Sequence, residues 1–96
     1  MELITDIAAI EGQIGPDWLV GDGVITKTVE RGDFSGALAY VNAVGQVAEQ
    51  INHHPDVDIR WGTVTLYCST HVRGGITGYD IQLTHLIDEL DSSGPT

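Results

Sequence analysis

EQINHHPDVDIRWGTVTLYCSTHVRGGITGYD, residues 49–80, is the stretch on which the fold and most of the chemistry turn. Val57, Ile59 and Trp61 alternate with Asp58 and Arg60, which predicts a strand over 57–61. Gly62-Thr63 turns the chain into a second strand over 64–70, with Val64, Leu66 and Cys68 on one face and Thr65, Tyr67 and Ser69 on the other. His71 stands at the end of that strand, ahead of Arg73-Gly74-Gly75. On the N-terminal side Pro55 is expected to stop a helix, because proline donates no hydrogen bond and restricts the residue before it. His53 and His54 therefore fall at a helix end and His71 at a strand end. Imidazole, with an unperturbed pKa of about 6.5, gives and takes protons near neutrality, so three in one short stretch point to proton transfer.

The elements to either side follow from their apolar spacing. Upstream, Asp33 is the cap of a helix running to about Asn52, with Phe34, Leu38, Val41, Ala48 and Ile51 on one face, widened by Ala37, Tyr40, Val44 and Val47. Downstream, Thr77 and Asp80 have the spacing of a capping box, and Ile81, Leu83, Leu86, Ile87 and Leu90 carry an apolar face through the last helix. Nearer the N-terminus, Trp18 to Val20 and Val24 to Glu30 read as a hairpin about Gly21-Asp22-Gly23. A first helix is expected from a Thr5 cap, with Ile7, Ile10 and Ile14 in one stripe and Gly15-Pro16 as its end. The order α-β-β-α-β-β-α predicts an α+β domain over 1–91, a four-stranded antiparallel sheet with its helices on one face. Residues 92–96 are expected to form a disordered tail.

Composition narrows the function. The 96 residues suit one small domain, and 42% hydrophobic residues with a mean hydropathy of +0.02 are ordinary for a globular chain. No apolar run approaches the roughly 18 residues of a membrane span, and MELITDIAAIEG carries acids where a secretory signal carries basic residues, so a cytoplasmic location is expected. Four basic against fourteen acidic residues give a net charge of −10, which repels nucleic-acid backbones and anionic membranes. The lone Cys68 has no intrachain partner and reads as a buried thiol.

One spacing is more specific than any of this. Glu49, three residues, His53-His54-Pro55, five residues, Trp61, nine residues, His71, eight residues and Asp80 together resemble the signature of the pterin-4a-carbinolamine dehydratases. The resemblance implies a hydro-lyase that dehydrates 4a-hydroxytetrahydropterin to quinonoid dihydropterin in pterin recycling, with no metal or redox cofactor. It puts His53 and His71 in acid/base roles and His54, Glu49 and Asp80 in substrate binding, Glu49 reaching either the His53 ring or the pterin. It further implies a homodimer or homotetramer and a pterin-dependent hydroxylase as metabolic neighbour. Val57, Gly62-Thr63 and Val72-Arg73 depart from the family's commoner wording, but none is a signature position.

Other readings of the same residues carry less weight. A His-His-Pro at a helix end also serves as a polar cap of the terminal carbonyls. A zinc site would need paired ligands on one face, whereas adjacent helical histidines diverge by about 100°, so no metal is expected. Trp18 and Trp61 read as packing residues and His85 as an exposed helix residue. Relatives of this fold also act without catalysis, as a transcription-factor dimerisation cofactor and as Rubisco assembly factors. A protein-interaction factor, with Rubisco among its conceivable partners, is therefore the alternative function.

Overall fold

The computed structural model describes residues 1–92. It contains α1 (Ile7–Glu11), β1 (Leu19–Gly21), β2 (Val24–Glu30), α2 (Phe34–Ile51), β3 (Asp56–Arg60), β4 (Thr63–Cys68), a 3-10 turn (His71–Arg73) and α3 (Gly78–Ser92). The strands form one antiparallel sheet in the order β1-β2-β4-β3, so the α+β architecture is as expected.

Register decides which side chains are buried. In β4, Val64, Leu66 and Cys68 are fully buried, and opposite them on β2 stand Val29, Lys27 and Ile25. Against this face pack Ala37, Tyr40, Val44 and Ala48 of α2 and Ile81, Leu83 and Ile87 of α3. Each fully buried valine, leucine or isoleucine among them contributes about 1.5–3 kcal/mol of hydrophobic stabilisation. The other face of the sheet is left open and carries Thr26, Thr28, Thr65 and Tyr67, with Thr28 and Thr65 joined through their hydroxyls at 3.1 Å. Among the described residues, no helix is long and apolar enough to cross a membrane.

Several boundaries differ from expectation. The first helix is capped by Asp6, whose backbone is extended and whose carboxylate accepts the Ala9 N–H, rather than by Thr5. It ends at Glu11, so Ile14 packs from beyond it and Ile7 stays exposed. The first hairpin turns on Asp22 and Gly23, both at positive φ as a two-residue primed turn requires, which leaves Trp18 outside the strand and buried. The second turns on Trp61 and Gly62 between the paired Arg60 and Thr63. Trp61 thus leaves its strand, takes φ +53° and is 71% exposed, so it is not the packing residue expected. Gly62 is dictated by space, since a Cβ there would lie 2.7 Å from the Gly32 carbonyl carbon. The last helix includes Ser92, the first residue of the expected tail; residues 93–96 lie outside the described residues.

Candidate functional site

The end of α2 creates the site. Asn52 adopts the left-handed conformation (φ 50°, ψ 44°), its N–H reaching the Glu49 carbonyl while the His53 N–H reaches that of Ala48. This is a Schellman stop, and it ends the helix three residues ahead of Pro55, the expected terminator. The chain therefore reverses before the histidine pair, and the two rings leave in different directions.

His53 turns inward, its side chain 14% exposed, and its Nε2 lies 2.6 Å from Asp80 Oδ1. Asp80 is fully buried. Its second oxygen accepts the Thr77 N–H at 2.9 Å and the Thr70 hydroxyl at 2.7 Å. The Thr77–Asp80 capping box is present, and the Thr77 hydroxyl also accepts the Tyr79 N–H. One carboxylate thus starts α3, ties it to the end of β4 and orients His53. A buried carboxylate is stable only when partnered in this way. Tyr79 lies beside the His53 ring with centroids 5.6 Å apart.

His54 turns outward and pairs through Nε2 with Glu49, the carboxylate expected to reach His53 or the substrate. The chain reversal at Asn52 accounts for this exchange of partners. His71 opens the 3-10 turn and its Nε2 lies 3.0 Å from Asp56 Oδ2. Because a carboxylate only accepts, each of these contacts places a hydrogen on Nε2 and leaves Nδ1 as the nitrogen able to take a proton when the ring is neutral.

His53, His54 and His71 all line one cleft of about 290 Å³, together with Asn52, Pro55, Asp56, Ser69, Thr70 and Val72. Glu49 is outside it, beside His54 in a shallow groove along α2. Asp80 is behind His53 and does not line the cleft. Sequence reasoning missed Thr70 and Asp56. Each had a signal: Thr70 directly precedes His71, and Asp56 directly follows the His-His-Pro. Among the described residues, no group of three or more His, Cys, Asp or Glu side chains is placed to hold a metal ion.

A second polar cluster lies at the far end of α3. Lys27, inward-facing and only 6% exposed, contacts Asp88 at 3.0 Å and Asp91 at 3.2 Å, while the Trp18 Nε1–H donates to Asp88 at 2.9 Å. Arg31 completes it, pairing with Asp91 at 2.6 Å and lying over the Tyr40 ring. Burial alone would pull the Lys27 pKa down, but the hydrogen bonds of Asp88 and Asp91 outweigh it and hold the ammonium above its ordinary value. Cys68 behaves differently: burial, aided by the charges of Asp80 and Asp56, pushes its thiol up to about 12. It is no nucleophile.

Comparison with known proteins matches residues 4–90 to the family described as pterin 4 alpha carbinolamine dehydratase. A relative from Nocardia farcinica is 51% identical over 75 residues, 78% of this chain and 79% of its own. Another, from Roseiflexus castenholzii, is 42% identical over 92 residues, covering 94% and 99% of the two chains. Both bear the name "Putative pterin-4-alpha-carbinolamine dehydratase". Among solved structures, a transcriptional coactivator/pterin dehydratase from Brucella melitensis has the same fold, with a TM-score of 0.80 over 93% of this chain and 98% of that one at 22% identity.

Proposed function

The chain belongs to the pterin 4 alpha carbinolamine dehydratase family, and from that premise we propose that it dehydrates a 4a-hydroxytetrahydropterin to the quinonoid dihydropterin. The observation carrying this reading is that His53, His54 and His71 line one cleft, each with a carboxylate at Nε2. In the reaction the C4a–O bond breaks as the hydroxyl takes up a proton, N5 loses its hydrogen, and C4a=N5 forms as water leaves. Nothing is oxidised or reduced, so a proton donor and a proton acceptor suffice and neither a metal nor a redox cofactor is called for. His53 and His71 take these roles and His54 positions the pterin. Glu49 orients His54, and Asp80 acts through His53 rather than touching the substrate. The cleft volume suits a compact bicycle. As a lyase of pterin recycling the protein would work in the cytoplasm beside a pterin-dependent hydroxylase, as a homodimer or homotetramer.

A second reading, a non-catalytic interaction factor, is supported by the open sheet face and by exposed Phe34 and Leu38 on α2. Turnover of a synthetic carbinolamine separates the two. The dehydratase reading expects the wild type to exceed the spontaneous rate, and His53→Ala and His71→Ala to lose at least tens of fold with circular dichroism unchanged, acid/base catalysis being worth about 10²- to 10⁴-fold. A folded wild type that leaves the spontaneous rate unchanged overturns it.

A further inference from the structure

We propose that Asp56 is the positioning residue for His71, fixing the ring so that Nδ1 is its only proton acceptor. The inference rests on the dehydratase reading for its effect on rate, but not for the arrangement itself. His53 needs no further restraint, because it is largely buried against a carboxylate with three partners. The His71 side chain is 65% exposed, follows the end of β4, and is succeeded by Val72 at 93% exposure and Gly74 at positive φ. Packing therefore does little to set its rotamer. The ring is met by Asp56, whose Oδ2 lies 3.0 Å from Nε2.

Asp56 is well placed for this. It is the first residue of the edge strand β3, and Pro55, with its fixed φ, leads into it. Pairing with Tyr67 puts Asp56 beside the end of β4, and His71 follows Tyr67 by four residues. The sheet pairing fixes the backbone of Asp56 relative to the end of β4, within reach of His71. An acceptor-only group on Nε2 selects the neutral tautomer with hydrogen there and so leaves the Nδ1 lone pair free. It also restricts ring rotation, which near-attack geometry demands.

The test uses the full chain with ¹⁵N-labelled histidine. In the wild type, multiple-bond ¹⁵N–¹H correlations of neutral His71 are expected to show the hydrogen on Nε2. Asp56→Ala is expected to lose that preference and to lower kcat about tenfold with KM changed less than twofold, and Asp56→Glu to recover most of both. An Nδ1–H tautomer in the wild type, or an Asp56→Ala protein with unaltered His71 signals and kcat, overturns the inference. Should the wild type show no turnover, the dehydratase reading falls while the tautomer measurement still decides for or against Asp56.

Discussion

At the scale of single residues, three acidic side chains of the site differ in what they hold. Asp80 is fully buried and satisfies the Thr77 N–H, the Thr70 hydroxyl and His53. Asp80→Ala removes the shared acceptor and strands the buried Thr77 N–H, although the Thr70 hydroxyl keeps its bond to that of Thr77 at 2.8 Å, and a loss of about 2–4 kcal/mol is expected in urea unfolding. Glu49 is 74% exposed at its side chain, and Glu49→Ala is expected to stay within about 0.5 kcal/mol of wild type. Equal losses for the two would contradict the burial argument. Asp56 resembles Glu49 in exposure, which makes it a clean site for functional substitution. Cys68 supplies a further residue-level test: buried, with its thiol near 12, it should react with a thiol reagent at pH 8 only as fast as the core opens. Labelling at the rate of a free thiol would show that it is accessible.

At the scale of elements, the ends of α2 and of the β3–β4 hairpin position the histidines. Asn52 holds a left-handed conformation that costs an ordinary residue roughly 1–2 kcal/mol. Asn52→Gly is therefore expected to keep both stability and turnover, whereas Asn52→Val should lower the unfolding midpoint and reduce activity together, by moving the His53 backbone. Wild-type turnover in a destabilised Asn52→Val would mean that the cleft does not depend on this helix stop. Gly62 matters for packing: its carbonyl accepts the Arg31 N–H at 2.7 Å and its α-carbon abuts the start of α2. The Asp33 cap of that helix, accepting the Gly36 N–H at 2.8 Å, contributes about 1 kcal/mol.

At the scale of the whole molecule, the Lys27 cluster joins the sheet to the end of α3 and makes stability depend on pH at both extremes. The Lys27 pKa is raised in the fold, so its contribution is fully present below its ordinary value of 10.5 and is lost as pH rises through the folded value. Burial alone would raise Asp91, but the hydrogen bonds of Arg31 and Lys27 prevail and lower its pKa. Its contribution is present above the ordinary 3.8 and is lost as pH falls through the folded value. The cluster's contribution to the urea midpoint is expected to fall away outside these limits, with Lys27→Met flattening the acid side. An acid limb identical in that variant would remove the cluster from the account. Assembly belongs to this scale too. Exposed Phe34 and Leu38 on α2, Val57 on edge strand β3 and Leu19 on edge strand β1 lead us to expect an even-numbered oligomer by light scattering. A monomer at micromolar concentration would count against it.

What the sequence alone determined was local. The alternation of Val64, Leu66 and Cys68, the Asp33 cap and the Thr77–Asp80 box depend on side chains within a few residues of one another, and each appears as expected. The His53-His54-Pro55, His71 and Asp80 spacing pointed to the family without any knowledge of where the side chains meet. Even the burial of Lys27 had a trace, since VITKTVE puts it in phase with Ile25 and Val29. Its partners had none, because Asp88 and Asp91 lie more than sixty positions away and meet it only once α3 packs on the sheet. The same holds for the carboxylates at the histidines. One-turn spacing suggested Glu49 for His53, yet the left-handed Asn52 sends that ring to Asp80, and the pairing of β3 with β4 brings Asp56 to His71. Backbone periodicity is set by neighbours along the chain, whereas the partner of a titratable group is set by which elements burial forces together, and that only the tertiary structure decided.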